Sequence, residues 1–244
     1  MEGDYDSMRP LTTVAAIGFA LTSIASLARA DAPPLRHIVY SFSYESNQNG
    51  AVPNEAGSSG ARSFNGKLDD KGTITVDVLR EAQDRGLVVV VSEQANETRT
   101  ASAATCAVYG NTDVVCDPNK RVNSEEYTLL RFLGANFVDP SKLDAKQHWT
   151  LSEHKGASMM TADYSINSNN NGVMTIDESR HIEDTSQGST TINTQTNLDY
   201  DFNRLLPTSI DEYTTEDRHG GLTGVTDTTY QTNLKLVSDS MAKP

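Results

Sequence analysis

The chain has 244 residues, a formal net charge of −13 and 36% hydrophobic residues, which suits one soluble domain or at most two small ones. Its 33 acidic residues outnumber 20 basic ones, so its long-range field repels phosphate backbones and argues against nucleic-acid binding. Aromatic residues make up only 7% of the chain, which argues against an outer-membrane barrel. We therefore expect a mature protein that does not span a membrane.

The first 30 residues are predicted to be a secretory signal that is cleaved near Ala30. Residues 11–27 form an apolar run, and Ala28-Arg29-Ala30 after it matches the small-x-small pattern that a signal peptidase recognises. A membrane anchor is the alternative, but the run contains Thr, Ser and Gly and lacks a positive stop-transfer flank. Residues 1–30 contain three acidic and two basic residues, which leaves 30 acidic and 18 basic residues. We expect an acidic, monomeric, periplasmic or secreted protein with a single domain over 31–244.

Alternation of apolar and polar residues predicts that this domain is mainly β. Residues 37–44 are apolar at every even position, which is typical of a strand with one buried face. The polar, glycine-rich segment 45–67 is predicted to be a flexible loop. Strands follow at 73–79 and 87–93, and the run Leu-Val-Val-Val-Val in the second indicates burial on both faces.

The two cysteines are predicted to form a cross-strand disulfide. Cys106 and Cys116 flank the turn-prone residues 110–113, and a hairpin centred there places the two cysteines opposite each other. An exported protein meets an oxidising compartment, where such a bond persists. A redox-active or metal-binding pair is the alternative, but the spacing is not C-x-x-C and no histidine lies nearby.

One helix is predicted over 124–133. Asn123 or Ser124 can cap it, two acidic residues lie in the first turn where the helix dipole favours them, and Gly134 ends it. Its apolar residues cover a wide face, so we expect it to pack on the sheet. Two interpretations remain open, a helix that closes one end of the core and a lid over a cavity. The apolar residues include Leu130 and Phe132.

The segment 157–236 has the clearest strand pattern and is predicted to be a meander of five antiparallel strands. Each predicted strand is longer than the roughly 5 or 6 residues that are common in sheets. Long strands with one solvated face twist and curl, which favours a half-barrel or open barrel. The whole domain is therefore predicted to be a long curved meander of about nine or ten strands with one packed helix.

The predicted buried face also carries five threonines. One interpretation is a tightly packed β-branched face whose hydroxyls bond to nearby backbone. The other is an amphipathic cavity for a ligand with an acyl or aromatic body and a polar head. The threonines are Thr194, Thr196, Thr226, Thr228 and Thr232.

Catalytic and metal-binding signals are scarce. His148 and His154 share a strand face but are about 20 Å apart at the rise of a strand, too far to bind one metal. His181 and Glu183 are about 7 Å apart on one polar face, where an acid–base or metal pair is conceivable and a solvated surface pair is the simpler explanation. The chain has no G-x-S-x-G, phosphate-loop or H-E-x-x-H motif. We expect no cofactor and no metal, and a hydrolase centred on His181 ranks last among the functions considered.

The signal segment, the run Leu-Arg-Phe-Leu-Gly-Ala-Asn-Phe-Val at 130–138 ahead of Trp149, and the close of the meander at 200–207 resemble the LolA-like periplasmic half-barrel carriers of lipoproteins and lipids. The resemblance covers residues 125–236. It implies a curved antiparallel sheet around an apolar cavity that helices cover, where acyl chains bind without chemistry. This chain departs from that pattern in having one helix and a threonine-rich inner face.

We therefore expect an exported, non-enzymatic protein that binds or carries an amphipathic or lipid-like ligand at the bacterial envelope. The alternative is an envelope structural or protein-interaction module whose inner face is a filled core. Native mass spectrometry of protein from its host separates the two, because a carrier retains lipid. The expected ligand-binding residues are Tyr164, Ile192, Leu198, Tyr200, Phe202, Tyr230, Leu130 and Phe132.

Overall fold

The computed structural model shows one large antiparallel sheet with one helix packed on it. The predicted signal peptide lies outside the described residues, and residues 33–244 form one compact unit. The structure describes residues 33–53, 61–82, 86–95, 103–109, 113–134, 147–186, 188–220 and 224–241.

Eleven strands and one helix make up the described part of the chain, so the prediction of a mainly β fold with one packed helix is confirmed. The helix α1 spans Ser124–Arg131 and ends two residues before the predicted end. The strands are β1 Arg36–Pro53, β2 Ala61–Glu81, β3 Leu87–Ala95, β4 Ala104–Val108, β5 Val114–Cys116, β6 His148–Lys155, β7 Ser158–Asn170, β8 Val173–Asp184, β9 Ser189–Asp201, β10 Leu206–His219 and β11 Val225–Asp239.

The sheet is built from two meanders that meet in its centre. The strand order is β5-β4-β3-β2-β1-β11-β10-β9-β8-β7-β6, and every neighbouring pair is antiparallel. The first meander runs from β1 to β5 and the second from β6 to β11, and the pairing of β1 with β11 joins them. The segment that contains α1 therefore connects the two outermost strands of the sheet.

The two edges of the sheet come together at one point. A flat sheet of this size would place the edge strands about 48 Å apart, since neighbouring strands are spaced by about 4.8 Å. Lys155 Nζ on edge strand β6 nevertheless lies 3.0 Å from Asp113 Oδ2, just before edge strand β5. The sheet is therefore strongly curled, although the described β5 and β6 share no hydrogen-bonded ladder and the sheet stays open.

The predicted disulfide is confirmed. Cys106 on β4 and Cys116 on β5 are direct register partners, and their sulfurs are bonded. Because the loop that this bond closes is short, it stabilises the fold by only about 2–3 kcal/mol. Its effect is to hold the three-residue edge strand β5 on the sheet.

The loop expected over 45–67 is wrong for most of its length. Residues 45–53 continue β1 and residues 61–67 belong to β2, and the two strands pair from end to end; residues 54–60 lie outside the described residues. Beyond Tyr44 the inward positions of β1 are occupied by Ser46, Gln48 and Gly50, so the alternation that reveals a strand disappears there while the backbone pairing continues. A Cβ on Gly50 would lie 2.5 Å from the Phe64 ring, so glycine is what admits this cross-strand aromatic.

The inner face of the sheet is arranged in rows of register partners. The apolar row comprises Ile166, Ile176, Leu198, Ile210, Leu234 and Phe42. The polar row comprises Tyr164, Glu178, Thr196, Glu212, Thr232 and Tyr44. Two further rows follow, which we call the rim rows. The first comprises Ala162, Arg180, Thr194, Thr214, Tyr230 and Ser46, and the second comprises Met160, Ile182, Ile192, Glu216, Thr228 and Gln48. The apolar and polar rows are buried throughout, whereas several side chains of the rim rows are partly exposed.

A buried carboxylate ties the ends of the two meanders together. Asp239 at the end of β11 accepts hydrogen bonds from Arg36 Nε at 2.9 Å and Nη2 at 2.7 Å. It also accepts bonds from Arg204 Nε at 3.1 Å and Nη2 at 2.8 Å. Burial raises the pKa of Asp239, but the bonds from Arg36 and Arg204 outweigh it and hold the pKa well below its ordinary value of 3.8.

Replacing Asp239 by Asn is expected to lower the free energy of unfolding at pH 7 by roughly 2–3 kcal/mol, because two arginines lose their shared anion. The folded-state pKa is depressed, so this stability is present above pH 3.8 and is lost as the pH falls through the folded pKa. Urea unfolding at pH 7 and pH 3 measures both effects, and the difference between wild type and variant shrinks at the lower pH. Asp69→Asn, in an exposed pair with Lys67, is the control and changes stability by less than about 0.5 kcal/mol. A pH-independent deficit in the Asp239 variant would contradict the assignment.

Candidate functional site

The polar row places two carboxylates in the buried inner face. Glu178 on β8 and Glu212 on β10 flank Thr196 on β9, and all three side chains are buried. The Thr196 hydroxyl lies 2.9 Å from Glu178 Oε2 and 3.1 Å from Glu212 Oε2. The Tyr164 hydroxyl donates to Glu178 Oε1 at 2.8 Å. Buried carboxylates of this kind need a cation as well as hydrogen bonds.

Helix α1 supplies that cation. Arg131 in its last turn donates from Nη1 to both oxygens of Glu178, at 3.0 and 3.1 Å, and from Nη2 to Glu212. Thr128, one turn earlier, donates to Glu212 Oε1 at 2.7 Å. The side chain of Arg131 is only 3% exposed. Two residues on one helix face therefore dock α1 onto β8 and β10, the strands on either side of β9.

The charges in this cluster stabilise each other. Burial lowers the pKa of Arg131, but the carboxylates of Glu178 and Glu212 outweigh it and raise the pKa above its ordinary value. Burial raises the pKa of Glu178, and the charges of Arg131 and Arg180 outweigh it and hold the pKa below its ordinary value. Arg131 and Glu178 therefore carry opposite charges across the physiological range, and their ion pair positions α1.

Most of the expected ligand-binding residues lie in the core beneath this cluster. Leu130 and Phe132 come from α1 and its end, and Leu198 comes from the apolar row. The Tyr200 hydroxyl donates to the carbonyl oxygen of Gly134 at 2.6 Å. Gly134 has a φ of +81°, which favours glycine where the chain leaves the helix. These side chains and Tyr164 are at most 2% exposed, which is typical of core packing.

The remaining expected residues are more accessible. Ile192 and Tyr230 lie in the rim rows and are partly exposed. The Tyr230 hydroxyl donates to Glu216 Oε2 at 2.8 Å, and its ring centroid lies 6.2 Å from that of Tyr44. Phe202, beyond β9 at the opposite end of the sheet, is also partly buried. The structure thus brings Ile192 and Tyr230 onto one surface and leaves Phe202 apart from them.

The rim rows combine apolar, hydroxyl and charged side chains. Ile182 and Ile192 are direct register partners on β8 and β9, and both are partly exposed. Beside them the hydroxyls of Thr194 and Thr214 lie 3.0 Å apart. Arg180 faces inward between Ala162 and Thr194. A surface with this mixture suits a ligand that has both an apolar and a polar part.

Two pockets adjoin the sheet. The smaller, of about 130 Å³, lies where the start of α1 meets the inner face and is lined by Tyr44, Leu68 and residues 121–124. The larger, of about 440 Å³, is lined mainly by outward-facing polar side chains of β1, β2, β9, β10 and β11. Lys71, Asp211 and Lys235 are among them. The larger pocket is therefore a shallow polar depression on the face opposite α1.

The histidine pair lies on the outward face, as its spacing indicates. His181 Nε2 is 3.2 Å from Glu183 Oε1, and His181 Nδ1 is 2.7 Å from Asn193 Oδ1. The hydrogen bonds with Asn193 and Glu183 raise the pKa of His181. The His181 and Glu183 side chains are exposed, which fits a solvated surface pair. Among the described residues no group of three His, Cys, Asp or Glu side chains is placed to hold a metal ion.

The charged members of the inner face were not predicted from the sequence. Arg180, Glu178 and Glu212 occupy the same even positions as the apolar residues of their strands, so their parity places them inward. Charged residues are ordinarily assigned to the solvated face, which hid this signal. Arg131 carries no comparable signal because a helix position has no fixed parity.

Replacing Arg131 by Met is expected to lower the free energy of unfolding by about 3–5 kcal/mol, because Glu178 and Glu212 are left buried without a cation. The triple variant that adds Glu178→Gln and Glu212→Gln is expected to recover more than half of this loss. Urea or guanidinium unfolding measures both. Lys67→Met, which removes an exposed ion pair with Glu45, is the matched control and is expected to leave stability nearly unchanged. A triple variant no more stable than the single one would contradict this account.

Comparisons with known proteins leave the chain without a family. No family model and no curated protein matches it. Among solved structures it is similar to one described as lipid-protein interactions in lipovitellin, with a TM-score of 0.46 and 9% sequence identity. The similarity covers 87% of this chain and 26% of that one, so the chain spans about a quarter of that structure's length. At this level the likeness carries no inference about ligand or activity, and the function rests on this chain's own side chains.

Proposed function

We propose that this protein is an exported, non-enzymatic binding protein for an amphipathic ligand, and that the ligand lies on the rim rows of the inner face. The observation that carries the proposal is the change in burial along β8 and β9. Ile176 and Leu198 are fully buried, whereas Ile182 and Ile192, on the same strands and the same face, are partly exposed. Apolar side chains that project inward without full burial provide a surface for an apolar ligand.

The polar row separates this surface from the core. The side chain of Arg131 lies over the polar row and is bonded to its two carboxylates, Glu178 and Glu212. An acyl chain reaching the apolar row would have to displace this ion-paired cluster, which costs several kcal/mol. We therefore assign the carrier role that the family resemblance implies to the rim rows. Of the expected ligand-binding residues, Ile192 and Tyr230 lie there.

Two further features support an exported protein. The Cys106–Cys116 disulfide is of the kind that persists in oxidising compartments. The apolar run at 11–27, followed by a small-x-small cleavage pattern, supplies the export signal in this proposal. No helix in the described part of the chain has the length or the apolarity that crossing a bilayer requires.

A protein-interaction module is the second candidate, and the filled core beneath α1 favours it. Leu129, Leu130 and Phe132 are fully buried against the sheet, so this half of the inner face serves packing. In that case the rim rows bind no small molecule, and the hydrophobic probe described next finds no site.

Ile192→Asn is expected to weaken binding of the neutral hydrophobic probe N-phenyl-1-naphthylamine by about tenfold, because a partly exposed apolar contact is lost. Fluorescence titration of the probe, and its displacement by dodecanol, measure the affinity. Met159→Asn is the matched control, since it makes the same kind of change to an exposed apolar residue on the outward face. Wild-type protein that binds neither probe nor dodecanol would contradict the proposed function, as would equal effects of the two substitutions.

A further inference from the structure

Arg180 is an arginine on an otherwise uncharged part of the rim rows. It faces inward from β8, between Ala162 on β7 and Thr194 on β9. The next inward residue on its strand is Ile182, and Met160 is the partner of Ile182 on β7. Arg180 as a whole is partly buried, so it lies beside this apolar surface while part of the residue remains exposed to solvent.

This guanidinium has no carboxylate partner among the described residues. Its Nε is buried and forms no hydrogen bond. Glu178, two residues earlier on the same face, is committed elsewhere: Arg131 binds both of its oxygens, and Tyr164 and Thr196 donate to it. Arg218, which also faces inward in the outermost part of the sheet, is by contrast paired with Glu216. Arg180 therefore differs from Arg131 and Arg218 in lacking an anion.

Burial and a nearby positive charge both destabilise the charged form of Arg180. Burial lowers the pKa of Arg180, and the positive charge of Arg131 lowers it further. Attraction by Glu178 offsets these effects only in part. An arginine side chain nevertheless remains charged in proteins, so the guanidinium is held at a free-energy cost that an incoming anion would remove.

We propose that Arg180 binds the carboxylate of an amphipathic ligand, with the apolar chain of that ligand on Ile182, Ile192 and Met160. A planar carboxylate matches the two-pronged donor geometry of a guanidinium. A single negative charge fits better than the double charge of a phosphate, because Glu178 and Glu216 already place two carboxylates nearby on the same face. This inference rests on the proposed function, to which it adds the chemical class of the head group.

The test compares two ligands that differ only in the head group. Dodecanoate and dodecanol compete for bound N-phenyl-1-naphthylamine at pH 8, and acetate tests whether a carboxylate without a chain suffices. Wild-type protein is expected to bind dodecanoate at least about tenfold more tightly than dodecanol. Acetate is expected not to displace the probe at millimolar concentration, because it lacks the apolar chain.

Arg180→Gln is expected to abolish the preference for dodecanoate while leaving dodecanol affinity within about twofold of wild type. Arg218→Gln is the matched control, because it removes a charge from the same face where the arginine already has Glu216 as partner. This control is expected to retain the preference.

The outcomes separate this inference from the proposed function. Equal wild-type affinity for dodecanoate and dodecanol overturns the head-group assignment and leaves the proposed function standing. Failure of both ligands to displace the probe overturns the proposed function itself. Loss of the preference in Arg218→Gln as well as in Arg180→Gln also overturns the assignment to Arg180. The wild-type comparison decides the question even where a variant does not fold.

Discussion

The ion pairs of Arg131 with Glu178 and Glu212 are the constraint on which the inner face depends. Glu178 and Glu212 neutralise the fully buried guanidinium of Arg131, and this requirement gives α1 one docking position on the curled sheet. That position closes the space over the polar row. It leaves the apolar row beneath α1 as packed core and the rim rows as the accessible part of the same face. We therefore propose the half of the face that the helix does not cover as the ligand-binding surface.

The fold could be predicted where side-chain alternation and burial agree. Even-numbered apolar residues such as Ile176 and Leu198 reveal the inner face, because neighbouring Cβ atoms point to opposite sides of a strand. The prediction failed beyond Tyr44, where the inward positions of β1 are Ser46, Gln48 and Gly50 and only backbone pairing shows the strand. The pairing of β1 with β11 was also beyond the sequence pattern, because alternation specifies a face and not a partner strand.

The candidate site could also be predicted only in part from side-chain alternation. Ile192 and Tyr230 could be placed on the inner face by parity, but parity does not distinguish a residue under α1 from one in the rim rows. That distinction depends on where the helix docks, which Arg131 decides through contacts with two distant strands. Arg180 shares the parity of Ile182, but parity does not reveal it as an inward residue because a charge is ordinarily assigned to the solvated face. Its neighbours and its missing partner emerge only from the register of the sheet.

The central claim is that α1 restricts ligand binding to the rim rows. It is tested most directly by NMR of protein with labelled isoleucine methyl groups and a spin-labelled fatty acid. Ile182 and Ile176 lie on one strand about 20 Å apart, so line broadening by the spin label distinguishes the two rows. The account predicts strong broadening of the Ile182 and Ile192 methyl signals, with those of Ile176 and Ile210 little affected. Broadening centred on Ile176 and Ile210, or none at any isoleucine, would contradict it.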